Sequence, residues 1–491
     1  ANPPYMGGSY HNPILKKFIN NKYPKVKADL FAAFIERCFN LSNTSGRLSI
    51  VSPYLWMFIS SYEKLRQDIL SSHTLDSLIQ LEYNAFEPAC IPVCTFTVNS
   101  SYIKDYSSSF IKLTSFKGHQ NQAPRTLEAI KNPNCGWYYI SKPDSFKKVT
   151  GQPIAFWLSN DFIQIFQKYP KFSTFAGAKQ GLATADNSRF LKIWYEVSFN
   201  NIDFEQTGDS SNEPSYTKKW YPHSKGGGFK RWYGNNDWVV NWQDNGYEIK
   251  NFFNENGKLK SRPQNIQHFF KGGITWCDLT SSHFNARKVN KGFTFDTTGP
   301  TAILKDEKNL DAMNGFMNSS VFQALVNVSL QGMHYSNGVI ADIPINKEIF
   351  SSESIKNTSL ALYEISRKDY DCYETSWDFT QNPLIRTNQL TLQQAYTTWH
   401  TQNTQAVADM KRLEEENNRL FINAYGLQDE LIPDVPDDQI TLTRADATAD
   451  SQRLISYIIG CIMGRYSLDE KGLIYAHAGN QNFDHTRYST F

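Results

Sequence analysis

The residues with the most chemical content stand together: Asn2, Pro3, Pro4 and Tyr5. The exocyclic amine of adenine is a poor nucleophile, because its lone pair is delocalised into the ring. A side-chain carbonyl at Asn2 and a backbone carbonyl at Pro3 can accept its two hydrogens. That favours a pyramidal nitrogen whose lone pair points at an electrophilic methyl group. Pro3 and Pro4 fix φ and remove competing N–H donors, which stiffens the loop. Tyr5 offers a face on which an extruded base can stack. The chemistry this suits is methylation of an adenine amine. It needs no metal and no strong base, only a methyl already activated as a sulfonium. Read alone, the same tetrad is also a proline-rich terminal loop, since short motifs mislead.

A loop of this kind needs elements to hold it. Leu30, Phe31, Phe34, Ile35 and Phe39 recur at helical spacing behind Asp29, a first-turn acid. Arg47 to Val51 reads as a strand ending at Ser52-Pro53, and Tyr54 to Leu70 as one further helix. Leu75 to Tyr83 and Ile91 to Val98 are strand-like, so residues 1–115 have an α/β pattern. Residues 116–345 are rich in Gly, Asn, Trp and Tyr, with short strands such as Ile274–Trp276 and Gly292–Phe295, and read as an α+β domain. Residues 346–491 are mainly helical. A long polar helix over Leu390–Tyr425 is expected to stop at Gly426, and the charges at Lys411, Arg412, Glu414, Glu415 and Glu416 read as its solvated face. The apolar run Leu454–Met463 reads as a buried helix.

Composition bounds the rest. At about 150 residues per domain, 491 residues suggest roughly three domains. Lys+Arg 50 against Asp+Glu 48 leaves a net charge of +2, which excludes a disordered charged tail but not a locally basic, nucleic-acid-binding face. Aromatics at 14% supply stacking surfaces. Seven cysteines without a CxxC pair argue against a disulfide framework or zinc ribbon and suit a reducing cytoplasm. No apolar run approaches the roughly 20 residues of a membrane helix, so no membrane partner is expected.

Two other clusters carry possible chemistry. Lys218, Lys219, Lys225, Lys230, Arg231 and Trp232 interleave bases with aromatics around Gly226-Gly227-Gly228, a pattern that suits DNA phosphates with stacking and equally an ordinary surface turn. Asp244, Glu248 and Lys250 resemble a metal-dependent nuclease signature, but their spacing is too tight, and a polar surface turn is the better reading.

The tetrad and the segments after it resemble the N6-adenine DNA methyltransferases. Asp29–Glu36 looks like the helix after their catalytic loop, and Gly46–Pro53 like their next strand. Ala85-Phe86-Glu87-Pro88-Ala89, running into Val93–Val98, looks like the motif whose aromatic, here Phe86, packs on the second face of the flipped adenine. A core phenylalanine at a turn is the alternative for Phe86. Over essentially its whole length the chain is similar to the PglX methyltransferases of bacterial BREX phage-exclusion systems. The marks are Tyr5–Gly8, Trp56–Arg66, Gly181–Asn187, Glu374–Phe379, Tyr425–Leu431 and Gly464–Asp469.

The resemblance implies an incomplete doubly wound, Rossmann-like α/β methyltransferase domain (1–115), an α+β target-recognition domain that binds DNA (116–345) and a helical C-terminal domain (346–491). It implies S-adenosylmethionine as methyl donor, with Asn2, Pro3, Pro4 and Tyr5 catalytic and Tyr5 and Phe86 around the base. The partners implied are duplex DNA and other proteins of a phage-defence system. That family holds its cofactor on a Gly-rich turn upstream of the tetrad, and Gly226–Gly228 does not follow a suitable strand. The chain is therefore expected to be the C-terminal part of a longer enzyme, inactive by itself. A DNA-recognition module without catalysis, or half of a fused restriction–modification enzyme, are the rival readings.

Overall fold

The computed structural model describes residues 1–86, 91–206, 216–280, 283–330, 334–475 and 484–487. The chain is a mixed α/β protein that divides into two compact units. Unit 1 comprises Ala1–Pro170 with Leu325–Gly332, and unit 2 comprises Lys171–Ala324 with Met333–Phe491.

Unit 1 is built on a five-stranded sheet. Its strands are β1 (Arg47–Pro53), β2 (Thr74–Gln80), β3 (Val93–Asn99), β4 (Ser108–Lys112) and β5 (Tyr138–Ser141), in the spatial order β1-β3-β2-β4-β5. β3 runs antiparallel to β1 and β2, and β4 runs parallel to β2. Hence β1, β2 and β4 point the same way and end on one edge of the sheet. Alternating residues feed two apolar layers. Leu78 and Phe110 enter the larger core with Phe31, Ile35, Trp56, Leu65 and Ile69, whereas Ile79 and Ile111 enter a second cluster with Ala129. The helices supplying these layers are α1 (Pro13–Lys22), α2 (Leu30–Leu41), α3 (Glu63–Ser72) and α4 (His119–Lys131).

Local signals start the helices. Asn12 caps α1 through Leu15 N (2.9 Å) with Pro13 behind it, and Asp29 caps α2 through Phe31 N (3.2 Å). The single helix expected over Tyr54–Leu70 is broken into a 3-10 turn at Tyr54–Met57, another at Ser60–Tyr62, and then α3. The cause is Arg66, whose guanidinium is fully buried and bonds Trp56 O and Ile59 O (both 2.8 Å) and Gly151 O (2.6 Å). Those carbonyls would be acceptors within a continuous helix, and Ile59 is extended instead.

Unit 2 contains two four-stranded sheets and a set of helices. The first joins β6 (Ala176–Lys179), β10 (Gly273–Trp276), β11 (Ala286–Val289) and β13 (Thr301–Leu304) in the order β11-β10-β13-β6. The second joins β7 (Leu191–Ile193), β8 (Trp220–Ser224), β9 (Trp238–Asn241) and β12 (Thr294–Phe295) in the order β12-β8-β9-β7. The helices include α5 (Leu310–Met317), α6 (Glu353–Tyr370), α7 (Leu392–Tyr425) and α8 (Ala447–Ile462). α7 ends at Gly426 in the left-handed conformation (φ 71°), as its sequence predicts.

Three expectations change. The boundary expected at 115/116 falls between β4 and β5, which pair with each other, so unit 1 continues to Pro170. The boundary expected at 345/346 falls inside unit 2, because α6 and α7 supply buried acids to residues of the preceding sheet region. The run Leu454–Met463 is not a buried helix. α8 packs through Tyr457 and Gly460, while Ile455, Ile458, Ile459, Ile462 and Met463 face solvent, Ile462 being 80% exposed. No helix among the described residues is long and apolar enough to cross a membrane.

Candidate active site

The Asn2–Tyr5 loop lies on the edge where the parallel strands of unit 1 end. Ala1 fixes its start: Ala1 N donates to Ser49 O (2.6 Å), and Val51 N donates back to Ala1 O (2.8 Å). This is the bond pattern of a strand parallel to β1. Its far end is held by Asp29, whose Oδ1 accepts from Met6 N (2.9 Å) as well as capping α2. Leu30 N donates to Met6 O (3.0 Å), and His11 Nε2 donates to the same carbonyl (3.0 Å). Asp29 is legible in the sequence as a helix cap. Its second task, joining loop to helix, depends on a residue 23 positions away.

Within the loop, Pro3 is buried while Asn2 and Pro4 are exposed. The Tyr5 hydroxyl donates to Asn2 Oδ1 (2.8 Å), and its ring meets Phe31 edge-on (centroids 6.3 Å apart). This orients the amide with its carbonyl toward Tyr5 and leaves one lone pair for a second donor. Burial, and then the nearby Cys94 thiol, raise the Tyr5 pKa, so the phenol stays a donor at neutral pH. Cys94 is itself buried and pushed up to about 12, which makes it an inert wall.

The same edge carries Tyr54 after β1, the Glu82–Phe86 turn after β2, and Lys112 at the end of β4. Glu82 shapes that turn, accepting from Asn84 N (2.9 Å) and Gly118 N (3.1 Å). Phe86 is 51% exposed, so it is a surface aromatic and not a core one. Glu87, Pro88 and Ala89 of its motif lie outside the described residues. Lys112 Nζ sits 3.7 Å over the Trp157 ring, and burial lowers its pKa to about 8. Neither residue stands out in the sequence, since nothing local marks a strand-end lysine that meets a tryptophan 45 residues on.

The basic stretch of unit 2 divides. Lys218 and Lys219 are exposed, and Lys225 lies with Nζ 4.7 Å from the Trp238 ring centroid. Arg231 and Trp232 are buried and Lys230 is half-buried, and all three are corrected from DNA contacts to structural residues. Arg231 is 6% exposed, pairs with Glu414 Oε2 (2.8 Å) and donates to Asn318 O. The Trp232 indole donates to Glu414 Oε1 (2.6 Å), and Lys230 pairs with Asp369 (3.4 Å). A guanidinium buried on a carboxylate is out of reach of a DNA phosphate. By the same observation Glu414 is not on a solvated face. Of the nuclease-like triplet, Glu248 is taken by Arg189 (3.1 Å) and Asn241 (3.2 Å), and Lys250 lies over Trp242.

Residues 1–86 match the Eco57I restriction-modification methylase family. The chain is 32% identical over 501 residues to "Adenine-specific methyltransferase PglX" of Lacticaseibacillus casei (strain Zhang), covering 100% of this chain and 41% of that protein. It is 30% identical over 505 residues to "Adenine-specific methyltransferase BrxX" of Escherichia coli O9:H4 (strain HS), covering 98% and 40%. It thus spans about two fifths of the length of the curated relatives it matches. Among solved structures it resembles the Type IIL restriction-modification enzyme MmeI in complex with DNA, with a TM-score of 0.51 and 13% identity over 93% of this chain and 57% of that one. At that identity the likeness concerns the fold.

Proposed function

We propose, from the premise that this chain is PglX-like, that it carries the amine-activating half of a site that methylates adenine N6 in duplex DNA. The observation that carries this reading is the Asn2–Tyr5 loop, pinned at both ends on the edge where β1, β2 and β4 end. In open α/β sheets that edge is where nucleotides bind. The sheet, packed on both faces and continued by Ala1 beside β1, suits part of a doubly wound methyltransferase domain.

Asn2 Oδ1 and the Pro3 carbonyl accept the two hydrogens of the amine, turning its lone pair out of conjugation. The Tyr5 hydroxyl holds the Asn2 amide in the accepting orientation. Tyr5 and Phe86 offer faces to the extruded base. S-adenosylmethionine, when bound, supplies a methyl group already activated as a sulfonium. Asn2 and Pro3 are the residues of this chain that would face it, and their place at the strand ends fits such a donor. Lys218, Lys219 and Lys225 of unit 2 are offered to DNA phosphates in a target-recognition role. The setting is the bacterial cytoplasm, in phage defence alongside other proteins.

The test is Asn2→Ala in the intact protein. Methyl transfer from labelled cofactor is expected to be abolished, with duplex affinity within a few-fold of wild type. Asn2 acts on the amine in the transition state, whereas affinity comes mostly from phosphates. Retained transfer would sink the assignment. A wild-type protein that binds DNA without methylating it would favour a recognition module.

A further inference from the structure

Beside the Asn2–Tyr5 loop, unit 1 has an open cleft of about 660 Å³ between α1, the turn before α2, and the start of α3. Its charge is one-sided. Lys16, Lys25, Lys27 and Lys64 line it, with His11 on its wall and Glu63 as its one carboxylate. Glu63 already accepts from Gln67 Nε2 (3.3 Å). Residues 11–30 carry five lysines against one acid, Asp29, which is engaged with the amides of Met6 and Phe31. Lys16, Lys27 and Lys64 are exposed, and among the described residues their ammonium groups make no ion pair or hydrogen bond. Like charges around one concavity repel each other and focus a positive potential into it, which an anion relieves.

The cleft is coupled to the site by backbone. Gly8 N donates to Ala28 O (2.9 Å), and a Cβ on Gly8 would stand 3.2 Å from Lys27 O, so the loop and the lysine-bearing turn touch directly. His11, on the cleft wall, bonds Met6 O. A ligand in the cleft therefore lies a few residues from where the adenine amine would sit. The lining carries flexible ammonium groups and no large apolar side chain, unlike a pocket for a drug-sized molecule. Lysines act as point charges on phosphate.

We infer that this cleft holds backbone phosphodiesters of the DNA strand that flank the extruded adenine. An enzyme that extrudes a nucleotide must grip the backbone around it, and such contacts position without reading sequence. The inference takes its ligand from the proposed function, and its test separates the two.

The intact protein, the K16Q/K27Q/K64Q variant and a control, K258Q/K305Q/K347Q, are titrated with a short non-specific DNA duplex across salt concentrations, and separately with polyglutamate. Methyl transfer is measured in parallel. All six lysines are exposed, so thermal melting should match wild type. The cleft variant should lose about 0.9 in log–log salt slope per contact, or about 2.7 in all, while the control keeps the wild-type slope. Its KM for DNA should rise with kcat unchanged at saturating DNA. An unchanged slope, an equal loss in the control, or loss of polyglutamate binding alone would overturn the inference, the last by assigning the cleft to an acidic protein. Absence of salt-dependent duplex binding by the wild type overturns it too. A lowered slope in a protein that transfers no methyl group keeps the cleft and refutes the methylation reading. Normal methylation with an unchanged slope does the reverse.

Discussion

The bond from the Tyr5 hydroxyl to Asn2 Oδ1 links the two roles proposed for Tyr5. Stacking needs the ring of Tyr5, while orienting the acceptor needs its hydroxyl. Tyr5→Phe separates them. It keeps the ring and its edge-on contact with Phe31, and removes one hydrogen bond worth about 0.5–1.5 kcal/mol. If that bond acts only in holding Asn2 for the transition state, kcat for methyl transfer should fall about 2- to 10-fold, with the KM for DNA unchanged. On the proposed stacking role, Tyr5→Ala should cost far more, because it also removes the ring. Equal losses in the two variants, measured at saturating DNA, would show that the hydroxyl carries all of the effect and the ring none.

At the scale of elements, α3 and α8 show how little an apolar run says about its own burial. Ile69 of α3 is fully buried against the sheet of unit 1. Ile458, Ile459 and Ile462 of α8 are at least 46% exposed. In α8 the packing side is the one with Tyr457 and Gly460, where the Tyr466 ring comes so close that a Cβ on Gly460 would stand 2.7 Å from it. Substituting Ile458, Ile459 and Ile462 singly with Gln should shift unfolding free energy by no more than about 0.5 kcal/mol each. Ile69→Ala should cost about 2–5 kcal/mol through transfer and cavity terms. Urea midpoints of the four variants check both statements. A large loss at Ile458 would restore the buried-helix reading.

At the scale of the molecule, the acid Glu414 explains why unit 2 does not part between its sheets and its long helices. It is fully buried on α7, with Arg231 and the Trp232 indole both on its carboxylate, 183 and 182 residues earlier in the chain. Burial pushes the carboxyl up, and Arg231 and the indole pull it back toward the ionised form. Glu414→Ala leaves a desolvated guanidinium unpaired and should cost about 3–5 kcal/mol. Replacing both partners, as in R231M/E414L, should cost clearly less. A denaturant titration in which both variants lose the same stability would show that Arg231 finds another partner.

The features legible in the chain are the local ones. Asp29 as a cap, Gly426 as a stop and the strands near 47–53, 74–80 and 93–99 all rest on signals contained within a few residues, as does the chemistry proposed for the tetrad. Charge and hydropathy carry no such information, because the same residue type is stable in either place depending on what faces it. Arg231 and Trp232 look like DNA contacts until Glu414 supplies a buried partner, and α8 looks buried until Tyr457 and Gly460 take its packing side. The lysines at 16, 25, 27 and 64 do not stand out as a set, because they become one feature only where α1, the turn before α2 and α3 meet. The sequence by itself determined the reaction to look for and the elements beside the loop. Tertiary structure decided which charges are buried, since desolvation is compensated only by partners that distant segments bring.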